Sequence, residues 1–200
     1  MLAAQQFVPL PPAVRFVVSM GAILAVSREP LRGMPSSPLL SILLGLAVFV
    51  VWIGPDLIAP AWRASFLFNN AVIAPVRDNV PAALKTDTMF LVFRIATSAI
   101  AVPILEELFW RGWLMRWLID GEDFRRVPLG KYVPVAFVLT AVLFAAEHGP
   151  FWDVGLLTGF IYNWWMVRTR NLWDCIVAHA VTNGALAFYV LAAGQWQYWP

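Results

Sequence analysis

Three short clusters of polar residues interrupt long apolar runs, and their spacing is where chemistry could reside. The first is VPILEELFWRGWLM, residues 102–115, which carries Glu106, Glu107 and Arg111. A charge at mid-bilayer costs about 2.5–3.5 kcal/mol even on the most lenient scale, so these groups must face protein or water. Glu107 and Arg111 are four apart, share one helix face and can pair. Glu106 is rotated by about 100° from Glu107 and stands five residues from Arg111. It is the carboxylate left free to act as a general base. The second cluster is FAAEH, Phe144 to His148, closing an apolar run. The third is HAVTN, where His179 and Asn183 share a face and can point their donors at one atom. The chain has only two histidines, and both fall in these clusters. Each cluster alone has a plainer reading: a structural Glu–Arg clamp, a histidine that hydrogen-bonds between helices, or an interhelical His–Asn contact. Glu147, beside His148, points about 100° away and reads as an interfacial residue.

Composition says what surrounds these groups. Of 200 residues 60% are hydrophobic and 13% charged, against about 25% charged in a soluble domain; mean hydropathy is +0.71. Lipid is the expected solvent. The single cysteine, Cys175, excludes an internal disulfide and a cysteine metal cluster, and it reads as a small packing residue. The cations are spread along the chain with no basic tract or Gly-rich phosphate loop, so nucleic acid is not an expected partner.

Apolar runs of about 20 residues cross a bilayer. The expected fold class is all-α, a polytopic membrane bundle of about seven transmembrane helices forming one domain over residues 1–200. The runs lie at 7–26, 38–59, 87–102, 104–119, 132–148, 152–168 and 171–193, with Pro103 ending or kinking the third. No small-residue cleavage site follows the first run, so it reads as a span and not as a signal peptide. Residues 60–86 read as an interfacial loop, and Trp196, Tyr198 and Trp199 as an aromatic belt. The aromatics of NWWMV (163–167) and WRGWLMRW (110–117) read as mostly lipid-facing or interfacial, with no catalytic role. With seven spans, Arg63, Arg77, Lys85, Arg125, Arg126, Lys131, Arg168 and Arg170 fall on one side, Arg28 and Arg32 on the other. The positive-inside rule then makes the first set cytoplasmic and the C-terminus external.

EExxxR, FxxxH and HxxxN, in that order on successive membrane helices, resemble the CAAX protease and bacteriocin-processing family of intramembrane glutamic proteases. The resemblance covers residues 87–193, which would be the catalytic core. It implies that Glu106 and His148 activate a water and that His179 and Asn183 stabilise the oxyanion, with no metal or cofactor. Glu107 and Arg111 would hold the base in register, with Phe144 completing FxxxH. The implied partner is a membrane-anchored protein or peptide substrate in the bilayer. RGWLMRWLID, TGFIYNWWMVRTRNLWDC and AHAVTNGALAFYVL resemble the exosortase-associated branch, which implies an exosortase sorting system in a bacterial cytoplasmic membrane.

Two further readings stay open. His148, His179 and a glutamate could bind zinc, although no HExxH helix is present. The chain could also be a non-catalytic scaffold of an export pathway. A transporter reading is weaker because no inverted repeat appears.

Overall fold

The computed structural model describes residues 11–27, 29–70, 72–73 and 75–199. Among them the chain is all-helical. Its helices are α1 (Pro12–Val26), α2 (Pro38–Ile58), α3 (Thr88–Trp117), α4 (Pro134–Ala146), α5 (Trp152–Thr169) and α6 (Leu172–Ala193). Several starts are written in the sequence. Proline opens α1, α2 and α4, where its missing N–H is no loss. The Asp87 and Asn171 side chains cap α3 and α6 by accepting from Phe90 N–H and Trp173 N–H, each at 2.9 Å.

By length and composition α2, α3 and α6 can each cross a membrane, while α1 and α4 are shorter apolar helices. Leu39, Leu40, Leu43, Leu46 and Val50 of α2 stand exposed, an apolar face that lipid covers. The chain is a multi-pass membrane protein.

The all-α bundle of about seven helices is borne out, with six helices among the described residues because the third and fourth runs are one helix. Pro103 does not end it. The backbone widens into a π-turn at Thr97–Ala101, just ahead of the proline, and again at Leu108–Leu114. A wide turn relieves the clash of a proline ring with the preceding turn. The consequence is topological. The loops 59–87 and 118–133 are separated by one span, so they lie at opposite ends of the bundle. Arg63, Arg77 and Lys85 therefore part company with Arg125, Arg126, Lys131, Arg168 and Arg170, which instead share an end with Arg32. Arg28 and residues 7–10 of the first run lie outside the described residues. By the positive-inside rule the Arg32–Arg170 end is the expected cytoplasmic one, with Trp196–Tyr198 at the opposite end.

Each end is latched by polar contacts. At the Arg-rich end the buried Asp174 carboxylate of α6 accepts from the Ser36 hydroxyl and, at 2.9 Å, from Ser37 N–H. At the other end Arg63 pairs with Asp56 at 2.7 Å and Asp153 at 3.0 Å, donates to Pro150 O, and lies 4.4 Å from the Phe151 ring centre. Tyr198 donates to Asp56, and Tyr198 and Trp199 are buried against the bundle. The expected aromatic belt is thus a folded-back plug, with Trp196 packed beside it.

Between the ends, small residues set helix spacing, as they do where lipid removes the hydrophobic drive for helix association. A Cβ on Gly45 of α2 would lie 2.4 Å from Ala178 O of α6, and one on Gly159 of α5 would lie 2.9 Å from Ala141 Cα of α4. Cys175 is buried in the core, as expected of a packing residue.

Gly45→Ala forces α2 off α6 and is expected to destabilise by about 1–3 kcal/mol, the usual cost of overpacking; Gly21→Ala, where nothing lies within 4 Å, is the matched control. Thermal unfolding in detergent measures the difference. Asp174→Ala leaves Ser37 N–H without its acceptor and is expected to lower stability by about 1–3 kcal/mol in the same assay.

Candidate active site

The site is built on the turn of α3 between its two wide turns. Glu106 and Glu107 close the α-segment Val102–Glu107, and Arg111 sits in the wide segment that follows. Glu107 and Arg111 are both 0% exposed and pair as their spacing predicts, Nη1 to Oε1 at 3.0 Å. A buried pair is best tolerated when its other polar atoms are also satisfied; those of Arg111 are, while Glu107 Oε2 is buried with no hydrogen-bond partner among the described residues. Arg111 Nε donates to Asn163 Oδ1 at 3.0 Å, and Asn163 Nδ2 donates to Phe137 O at 2.8 Å. The guanidinium lies 4.8 Å from the Phe144 ring centre and 5.5 Å from that of Tyr162, within cation–π range. One arginine thereby fastens α3, α4 and α5.

Glu107 has a second partner that its spacing does not reveal. His179 Nδ1 of α6 stands 2.9 Å from Glu107 Oε1. The carboxylate holding Arg111 accepts, so Nδ1 carries the proton. The other ring nitrogen, Nε2, then faces Glu106 Oε2 at 3.9 Å. Glu106 Oε2 is buried and has no hydrogen-bond partner among the described residues, although the side chain as a whole keeps 24% exposure. Glu106 thus does not pair with Arg111; it is partly open on one side and faces the His179 imidazole at ion-pair distance on the other.

His148 lies in the turn just past α4 and not inside the helix, as the sequence reading had placed it. Its Nδ1 is 2.7 Å from Phe144 O. A carbonyl only accepts, so Nδ1–H donates and the Nε2 lone pair stays free. The FxxxH spacing has a simple local cause: the side chain four residues on reaches a carbonyl that the helix end leaves unpaired. The imidazole is walled on one side by Gly155, whose added Cβ would come within 3.2 Å of it, and by Trp52 of α2, ring centres 5.3 Å apart. Trp52 is itself fixed by donating Nε1–H to Thr158 Oγ1 at 2.9 Å.

Asn183 donates Nδ2–H to Ser98 O at 2.9 Å. The wide turn pairs Val102 N–H with Thr97 O. The next bond in that register would join residue 103 to Ser98 O, and proline has no N–H to give. Asn183 supplies the missing donor, and its second N–H has no acceptor among the described residues. Pro103, read from sequence as a helix breaker, is what anchors the amide.

The structure therefore brings Glu106, Glu107, Arg111 and His179 into direct contact, with Asn183 one turn along α6. His148 joins them through Phe144, whose ring centre is 4.6 Å from His148 and 6.3 Å from His179. Among the described residues only His179 stands at ion-pair distance from Glu106. Glu147 is exposed beside this group. Asn163 and Trp52 escaped the sequence reading. Asn163 carried a signal, a lone amide in an apolar helix, but NWWMV was read as mostly lipid-facing or interfacial. That reading fits Trp164, which is exposed, and fails for Trp165, which is buried and donates to Ser41 Oγ at 3.1 Å. Trp110 is buried too, against Phe144. Both Nδ1 atoms of the histidines are engaged by protein acceptors, and among the described residues no three His, Cys, Asp or Glu side chains are grouped to hold a metal ion.

Residues 88–185 match the family model described as type II CAAX prenyl endopeptidase Rce1-like. No curated protein and no solved structure matches the chain. EExxxR, FxxxH and HxxxN all lie inside the matched stretch, each on its own helix or helix end, and Trp52 lies outside it. Through residues 88–185 the chain belongs to the CAAX protease and bacteriocin-processing family, whose type II CAAX members are membrane endopeptidases.

Proposed function

We propose that the protein hydrolyses a peptide bond of a membrane-anchored protein or peptide, using water activated by Glu106 and no metal ion. The observation that carries this reading is the buried, unpartnered Glu106 Oε2 facing His179 Nε2 across 3.9 Å. That gap is too long for a direct hydrogen bond and within the span that one water bridges.

In this mechanism Glu106 takes a proton from the water as its oxygen attacks the scissile carbonyl carbon. The free Nε2 of His148 accepts the second hydrogen of that water and orients it. The carbonyl oxygen becomes an oxyanion, stabilised by the free N–H of Asn183 and by Nε2–H of a protonated His179. Glu107 orients and stabilises that imidazolium through Nδ1–H. Glu106 then returns the proton to the departing amine. The whole chain acts as one membrane domain, with residues 87–193 as catalytic core. The likeness to the exosortase-associated branch makes an exported protein of such a sorting system, in a bacterial cytoplasmic membrane, the first substrate to try.

A single-span reporter cleaved in proteoliposomes tests these roles. Glu106→Gln is expected to lower the rate by about 10²–10⁴ at an unchanged unfolding temperature; a fully active variant sinks the reading. Glu107→Gln is expected to lose activity and stability together, since breaking a buried pair costs about 3–5 kcal/mol. Activity should persist after chelation, whereas stoichiometric zinc whose removal stops cleavage would overturn the metal-free part.

A further inference from the structure

The cytoplasmic-facing end of α5 carries a feature that peptide hydrolysis does not use. Arg168, Arg170, Trp164 and Val167 line a groove of about 370 Å³. Arg168 and Arg170 are exposed and, among the described residues, form no ion pair. Lys131 joins them: Gly130, its neighbour, packs so closely on Arg170 that an added Cβ would lie 3.0 Å from Arg170 Cγ. Lys131 is also exposed and unpaired. Acidic residues also occur at this end: Asp123 is paired with Arg126, Asp120 accepts from the N–H groups of Glu122 and Asp123, and Glu29 and Glu122 are exposed but do not line the groove.

Below these cations runs one apolar stripe. Leu157 and Trp164 are 54% and 51% exposed, seven residues apart and on the same face as Arg168. Buried residues such as Val154, Thr158, Tyr162 and Met166 cover the opposite side of α5. From Leu157 to Arg168 the helix rises about 16 Å, at ~1.5 Å per residue. That is about half of a ~30 Å hydrocarbon core, the depth of one leaflet. Cations at the headgroup level above an apolar strip one leaflet deep match a single acidic phospholipid, its phosphate on the guanidinium groups and one acyl chain along Leu157 and Trp164. The cytoplasmic leaflet is also where anionic lipids gather.

Backbone geometry supplies an independent observation. Arg170 is the cap of α5 at φ 53°, a conformation that glycine adopts freely and arginine does not. Its N–H bonds Met166 O at 2.8 Å, a contact that any non-proline residue would make.

We infer that Arg168, Arg170 and Lys131, with the Leu157–Trp164 stripe, form a binding site for one anionic phospholipid on the outer face of α5. This site stands apart from Glu106 and does not depend on the peptidase mechanism.

Native mass spectrometry of the full chain, exchanged from detergent into mixed micelles of phosphatidylcholine and phosphatidylglycerol, tests the inference. The wild type should retain one phosphatidylglycerol, and its unfolding temperature should rise with that lipid but not with phosphatidylcholine or inorganic phosphate. Arg170→Gly, which relaxes the backbone and so keeps the fold, and the triple Lys131→Gln, Arg168→Gln, Arg170→Gln should each weaken retention, the triple by about tenfold or more. Arg125→Gln with Arg126→Gln, at the same end but outside the groove, should retain the lipid. Equal retention by the triple variant overturns the site. So does an equal loss in the Arg125/Arg126 control, which would mean a diffuse charge effect. A dimer of the chain that the triple variant dissolves would assign the groove to a second copy and likewise overturn it.

Discussion

A charged group inside a lipid-solvated bundle must be neutralised on the spot, and Arg111 is where this protein meets that demand. Its guanidinium is fully enclosed, so every direction around it has to be filled: Glu107 in front, Asn163 at Nε, and aromatic faces of Phe144 and Tyr162 on the flanks. Meeting these requirements brings α3, α4 and α5 to fixed distances. Glu107 then passes the constraint to α6 through His179, which is held at one nitrogen and presents the other to Glu106. Position and chemistry thus have one origin. The same carboxylate that compensates a buried cation also fixes the imidazole, whose other nitrogen is the one group at ion-pair distance from Glu106 among the described residues.

Much of this was legible in the chain. Helical periodicity alone separates Glu107, which can reach Arg111, from Glu106, which cannot, and the structure keeps that division. The scarcity of histidine made His148 and His179 conspicuous, and composition announced lipid. What stayed hidden were partners supplied from far along the chain. Nothing near Glu107 advertises His179, 72 positions away. Nothing near His148 advertises Trp52.

Pro103 shows a different kind of blindness. A proline within an apolar run reads as an end, because α-helical hydrogen bonding has no place for it. The chain widens its turn, continues the helix, and closes the resulting gap with an amide from α6. One residue thereby altered both the number of spans and the side assigned to the 59–87 loop. Helix periodicity cannot report this, since a wide turn is defined by a bond made one residue further on. The C-terminal aromatics held back a packing role for a related reason: Trp and Tyr suit an interface, and their sequence does not show that Tyr198 and Trp199 are buried against the bundle, with Tyr198 donating to Asp56.

The indole of Trp52 belongs to a helix outside the stretch by which the family is recognised, yet it forms one wall of the His148 ring and is pinned to α5 at Thr158. A catalytic core excised at residue 88 would keep EExxxR, FxxxH and HxxxN and still expose that imidazole to acyl chains. Helix α2 is therefore no mere membrane tether: through Trp52 it walls the candidate site, and exchanging it between relatives would change the surroundings of the His148 ring along with the anchor.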